Sequence, residues 1–405
     1  MSQIETDHPM LRLVDTQPIP YEGATYLMLR DPLGLTEKTL LVPQPMIPIL
    51  MLCDGAHTPA SIRSTLAIRY GLFLSIQRIE EFLATLDDAL LLDNDHSRQA
   101  RAAVQAEFRQ APFRLPANAG LTYPDDPQEL RNLLQGYIDA LDGTQAQPRD
   151  GTVRGIISPH IDFERGGPVY ARVWNQAAES VQSADLAIIF GTDHFSEGHP
   201  ITLTRQNYAT PFGVLPTDTK IVDELADVVG VEAAYAGELH HRREHSIELA
   251  AVWMHHIRNG NPIQTVPILT GSVDNSGTQM SGPMLEAFLQ VLQQAAQNRR
   301  VIVVAAGDLA HVGPAFEGEP VGPDELNALK DADEALINSM CQGDADGFYG
   351  AIQQVQDRNN VCGVSPIYLT LRLLAPLQGQ NHGYAVCPAD VNQTSVVTIC
   401  GITLK

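Results

Sequence analysis

Five short stretches of the chain set metal-competent or proton-carrying side chains beside apolar or small segments. They are ISPHIDF (157–163), GTDHF (191–195), HHRREHSIEL (240–249), AAGDLAH (305–311) and NNVCGVSP (359–366). Between them they hold His160, His194, Asp308, His311 and Cys362, together with Glu244 and His245. Two imidazoles with a thiolate or a carboxylate, and positions left open, form the donor set expected for Fe(II), copper or catalytic zinc. Acid–base help beside such a centre would come from Glu244, His245, Asp308 and His311.

Each stretch also has a local reading. His160 follows Ser158-Pro159, and the proline fixes an extended approach into a loop. In GDLAH, Asp308 and His311 are three apart, so one helical turn would put them on one face, where a carboxylate can orient an imidazole. In HHRREHSIEL, His241 and His245 are four apart, as are Glu244 and Glu248, so a helix would pair each set. The order differs from the H-E-x-x-H of zinc proteases. A solvated helix start, with acids favoured by the helix dipole, is the plainer alternative. Cys362 lies just before a helix predicted to begin after Ser365-Pro366, a position that lowers a thiol pKa; an inert buried cysteine is the alternative there.

The elements that must position these residues follow from hydrophobic patterning. VRGIIS (153–158), DLAIIF (185–190), PIQTVPIL (262–269) and VIVVAA (301–306) read as buried strands. Helical patterns over 168–180, 218–229, 245–258, 282–298 and 324–340 alternate with them. This predicts an α/β domain with a mainly parallel central sheet and helices on both faces. Ligands in such domains sit beyond the carboxyl ends of the strands, where His160, His194 and Asp308 all fall.

Residues 1–105 read as a small separate α+β unit, 106–119 as a proline- and glycine-marked linker, and 120–405 as the α/β domain. In the first unit a weakly alternating stretch turns at Asp31-Pro32-Leu33-Gly34 and is followed by a partner strand at 39–42. Thr58-Pro59 marks a helix start and Gly71 its end, and a second helix runs from Ser75 to about Leu92.

Composition sets the outer bounds. The chain has 405 residues, 44% hydrophobic and 18% charged, with a formal charge of −22 and no clustered Lys and Arg, so phosphate-backbone binding to nucleic acid is not expected. Five cysteines in a chain of this length make no disulfide framework and fit a reducing compartment. No apolar run reaches the ~18–20 residues of a membrane span, so the expectation is a cytoplasmic protein with no membrane partner.

Two resemblances sharpen this reading. SPHIDFERGGPVYA, FGTDHF, EHSIEL, GDLAHVGPAF and VCGVSPI, in that order, resemble the Memo family, and most closely the members labelled AmmeMemoRadiSam system protein B. The similarity spans about 112–405, and ISPHIDFERGG departs from the commoner family wording there while keeping His160. The resemblance implies a fold similar to the class III extradiol ring-cleaving dioxygenases, with His160, His194 and Cys362 as metal ligands. It further implies His311 as the acid–base histidine, Asp308, Glu244 and His245 in the same cleft, and Asp193 orienting His194. Iron is the implied metal, with copper or zinc as alternatives. The implied function is a redox-active non-haem enzyme acting on a small molecule or peptide, or an accessory to a radical SAM partner. Capture of a peptide or phosphopeptide in the cleft, or copper handling, are the other readings. Residues 25–95 resemble PqqD-like winged-helix domains, which bind peptides. Oligomeric state is open.

Overall fold

The computed structural model describes residues 7–21, 23–141, 152–196, 198–271 and 282–405. The chain divides into two compact units, with the boundary in the sequence between Gln110 and Ala111. The first is an antiparallel sheet of β1 (Asp15–Tyr21), β2 (Ala24–Arg30) and β3 (Leu40–Pro43), with α1 (Ile47–Met51), α2 (Pro59–Tyr70), α3 (Ile76–Asp88) and α4 (Asp95–Gln110). Its helix ends follow local chemistry. The Thr58 and Ser75 side chains accept from Ser61 and Arg78 amides to cap α2 and α3, and Gly71 ends α2 at φ 65°. The turn after β2 is held by Asp31, whose carboxylate accepts the amides of Leu33 and Thr36.

The second unit begins with α5 (Pro127–Asp139), β4 (Gly155–Ser158), α6 (Phe163–Gln176), α7 (Ala178–Ser183) and β5 (Leu186–Thr192). Next come β6 (Ile201–Leu203), β7 (Tyr208–Thr210), β8 (Gly213–Leu215), α8 (Thr219–Val229), α9 (Val231–Ala236) and α10 (Ser246–Ile257). The chain continues through β9 (Gln264–Thr270), α11 (Gly282–Ala295), β10 (Val301–Ala306), β11 (His311–Val312), α12 (Pro323–Gln342) and α13 (Ala345–Gln354). It ends with α14 (Val364–Leu374), β12 (Gly379–Pro388) and β13 (Val396–Leu404). Strands β4, β10, β5 and β9 are parallel neighbours in that order. Strand β6 joins antiparallel beyond β9, and β13 joins antiparallel to β4 and carries β12 and β11.

Side chains alternate between the two faces of the sheet. Ile188, Phe190, Val303 and Ala305 enter one core with α8, α11 and α14, whereas Ala187, Ile189, Ile302 and Val304 enter the other with α6 and α10. Both faces are therefore covered, as the apolar strand runs require. The helix predicted over 168–180 starts earlier, because Asp162 caps it by accepting the Arg165 amide, and Pro168 sits inside the first turns. The segment predicted as a linker over 106–119 behaves in two ways. Residues 106–110 complete α4, while Arg114 donates its amide to Asn207 and accepts from Ala209, a backbone bridge within the second unit. Among the described residues no helix is long and apolar enough to cross a membrane.

Phe288 is fully buried between α11 and the sheet. Replacing it with alanine should cost about 3–5 kcal/mol, read as a fall in the denaturant midpoint with an unchanged slope.

Candidate metal centre

The carboxyl ends of three parallel strands and the start of one helix meet at a single point. His160 lies just past β4, His194 past β5, Asp308 past β10, and Cys362 two residues before α14. The approach of the last two depends on bare backbone. A Cβ on Gly307 would stand 2.6 Å from the Gly363 Cα, and one on Gly363 would stand 2.5 Å from the Asp308 carbonyl oxygen. With two glycines the segments cross closely enough for the Gly363 amide to donate to that carbonyl at 2.9 Å.

His160 is buried, and its Nδ1 lies 3.1 Å from the Ala306 carbonyl, which fixes the proton on that nitrogen. Its Nε2 lone pair then faces the Cys362 Sγ at 3.2 Å. Burial, and then the neighbouring His194 and His245, hold the His160 pKa well below its ordinary value, so the ring is neutral. Donor atoms of His160, His194 and Cys362 all lie within 4.8 Å of one another. Sulfur and nitrogen ligands of one tetrahedral metal stand roughly 3.5 Å apart, so the spacing fits a single ion. Cys362 does not have the lowered pKa expected of a helix start. Burial pushes its thiol up, and the hydrogen bond with His194 only partly offsets this. The helix begins two residues later, and desolvation of a thiolate outweighs a dipole at that distance.

Glu244 is the hub of the other half of the site. Its fully buried carboxylate accepts the amides of His194 (2.9 Å), His245 (2.7 Å) and Ser246 (3.0 Å). The Nδ1 atoms of both His194 and His245 also rest on it at 3.1 Å. Burial alone would raise the Glu244 pKa, but the two imidazoles and their hydrogen bonds hold it well below the carboxylate range. The same pairing acts on His194, where burial is outweighed by Glu244 and Cys362 and the pKa rises. Sharing one carboxylate stacks the two rings at 4.9 Å and 17°, while the His160 ring stands edge-on to both at 5.0 and 5.1 Å.

A cleft of about 470 Å³ opens onto these groups, walled by His160, His194, His245, Asp308, His311 and Phe316. Asp308 accepts the His160 amide at 2.8 Å, and burial raises its pKa to about 6. His311 is held by the carbonyls of Leu309 and Asn360, and burial lowers its pKa to about 4. The helical turn expected to join Asp308 and His311 is absent, since 307–310 is irregular and His311 opens β11; they share the cleft by strand topology instead.

HHRREHSIEL is likewise not one helix. A 3₁₀ turn covers Glu238–Arg242, and α10 starts only at Ser246, so His241 and His245 part company. His241 faces away from the cleft, donating from Nε2 to the Thr202 carbonyl and accepting the Tyr208 hydroxyl at Nδ1. The Asp193 carboxylate is not the one that holds the His194 ring. Its Oδ2 takes His240 Nδ1 at 2.8 Å, because consecutive residues leaving a strand point opposite ways. The carboxylate on His194 is that of Glu244.

Arg114, Glu248 and Tyr123 were not legible as site residues. Arg114 is buried and donates to the carbonyls of His241 (2.7 Å) and Glu244 (2.9 Å), and pairs with the buried Glu248. Glu248 also accepts the amides of Ala117 and Asn118, each at 2.9 Å, and the Tyr123 hydroxyl. This clasp fixes the turn bearing Glu244 and brings Asn118 and Thr122 to the cleft wall. A lone arginine in a segment read as a linker offers no periodic signal; an acidic residue at the buried face of α10 was the available hint.

A family model described as a Memo-like protein matches residues 114–400. The chain is 22% identical over 369 residues to a MEMO1 family protein of Aquifex aeolicus, covering 91% of each chain. It is 28% identical over 269 residues to a MEMO1 family protein of Methanosarcina mazei, covering 66% of this chain and 88% of the relative. The figures for one from Methanocaldococcus jannaschii are 26% over 276 residues, 65% and 88%. The Aquifex match is longer than the whole second unit and so runs into the first.

Two outcomes follow from the clasp and its surroundings. Arg114→Met should cost about 3–5 kcal/mol in chemical denaturation, because it strands the Glu248 carboxylate, and Arg114→Met with Glu248→Gln should recover part of the loss. Burial, with Arg114 adding to it, lowers the His241 pKa to about 3. Below about 6.5 the unfolded chain therefore binds a proton that the folded chain refuses. Stability should be complete above that pH and fall by about 1.4 kcal/mol per unit from this group on acidification toward 3. Urea midpoints at pH 7.5 and 5.5 should differ more for the native chain than for His241→Gln.

Proposed function

The chain belongs to the Memo family, and from that membership we propose that its cleft is a transition-metal site, iron in the first instance, serving redox chemistry on a small molecule or peptide. The observation that carries this is the convergence of two imidazoles and one thiol within 4.8 Å, with both imidazoles on the wall of an open cleft. The donors suit the role. His160 presents a lone pair from a ring that burial keeps neutral, and His194 presents its Nε2 because Glu244 occupies its Nδ1. A carboxylate behind a ligating histidine fixes the ring and raises its basicity.

A bound iron would supply a Lewis acid and a one-electron couple at the junction of these donors. The rest of the chemistry belongs to the chain's own groups. His311, neutral on the cleft wall, is placed to take a proton from a substrate. Asp308, whose pKa is about 6, keeps the His160 loop in place through its amide and carries a proton over part of the neutral range. His245 rests its Nδ1 on Glu244 and turns the rest of its ring to the cleft. A thiolate is a softer donor than a carboxylate, which moves the site away from the ring-cleavage chemistry of the dioxygenases and makes copper(I) a competitor for it. Service to a radical SAM enzyme, with the first unit docking a peptide, is the pathway role that fits this reading.

Metal analysis of anaerobically purified protein tests it. Near-stoichiometric iron or copper in the native chain, lost in both His160→Ala and Cys362→Ser, is the expected result. Native protein that stays metal-free after reconstitution with either ion would sink the proposal, and the cleft would then be treated as a peptide or anion site.

A further inference from the structure

The sequence cluster at 240–249 contains a histidine that neither the cleft nor the clasp uses. His240 is buried, and its Nδ1 donates to Asp193 Oδ2 at 2.8 Å. Its backbone carbonyl accepts the Glu244 amide at 2.9 Å, and its own amide donates to Gly237 at 2.8 Å. Asp193 is also fully engaged. Its Oδ1 accepts the Phe195 amide at 3.1 Å, its Oδ2 accepts the Thr202 hydroxyl at 3.3 Å, and its amide donates to the Thr270 carbonyl at 2.9 Å.

These contacts close a ring of four residues. Asp193 is bonded covalently to His194, His194 is bound to the Glu244 carboxylate, Glu244 is bound through its amide to His240, and His240 returns to Asp193. Glu244 fixes the turn after β5 to the 240–244 segment on one side of His194 only. The Asp193–His240 bond adds a second attachment on the other side of His194, so the two segments are fixed relative to each other at two points.

We propose that the Asp193–His240 hydrogen bond is a positioning pair for the metal centre, setting the direction in which His194 presents its Nε2. The inference rests on the metal reading above. Residues that hold a ligand in place without touching the ion typically change metal affinity 10–100-fold when lost.

Cobalt(II) serves as the probe, with affinity measured by chelator competition and geometry by the cobalt visible spectrum and its thiolate charge-transfer band. Two variants separate the hydrogen bond from the space the ring fills. His240→Phe keeps the ring and loses the donor, whereas His240→Asn keeps a donor near the Nδ1 position and loses the ring, and melting curves report whether each folds. The expected result is about 10–100-fold weaker cobalt binding with altered visible bands in His240→Phe, and near-native binding in His240→Asn. The reverse order, or native affinity and spectrum in both, overturns the positioning role while leaving the metal site standing. Native protein that binds no cobalt overturns the site and the positioning role together.

Discussion

One buried carboxylate organises the centre. Glu244 has no access to solvent, yet five donors from His194, His245 and Ser246 converge on its two oxygens. An ionised carboxylate in that position is tolerable only because every lone pair is used and two imidazoles lie against it. The constraint propagates outward. Two rings that share one carboxylate must stack, and stacked rings leave the same edge facing the cleft. The backbone of the Glu244 turn must also be fixed, which Arg114 does through the carbonyls of His241 and Glu244.

Arg114 is a charge buried in its own right, and it is balanced by Glu248 on α10. The site thus contains nested neutralisations, imidazoles around Glu244 and a guanidinium against Glu248, with Tyr123 and two backbone amides completing the outer pair. Buried pairs of this kind contribute little net stability against an apolar alternative, but breaking one side is costly. Their effect here is on definition, since the turn they enclose has few other conformations available to it.

Much of this was legible in the sequence, for identifiable reasons. Strands β4, β5, β9 and β10 are buried on both faces and so appear as mainly apolar runs, and a parallel sheet then puts the residues that follow them on one rim. That is how His160, His194 and Asp308 could be grouped although they are far apart in the chain. Spacing misled where a polar cluster was taken for a helix. The three-residue interval of Asp308 and His311 and the four-residue interval of His241 and His245 both belong to irregular chain, because Gly307, the 3₁₀ turn and side-chain hydrogen bonds decide the backbone there. Pairings such as Asp193 with His240, or Arg114 with Glu248, join separate segments and leave no periodic trace. The choice between the two readings of the Cys362 thiol stayed open for a related reason: the start of a helix is visible in sequence, whereas the desolvation that overrides it depends on distant neighbours.

The entry of the chain into the second unit has a mechanical consequence. Ala111 and Pro112 give their carbonyls to Gln206 and Asn207, and Arg114 is bonded on both sides of its backbone before its side chain reaches the Glu244 turn. Tension arriving along the chain from residue 110 therefore meets the hydrogen bonds of Ala111, Pro112 and the Arg114 backbone before it reaches the Arg114 side chain. The arrangement works like the strain relief on a cable, with the soft load taken up at the sheath and the soldered joint left undisturbed.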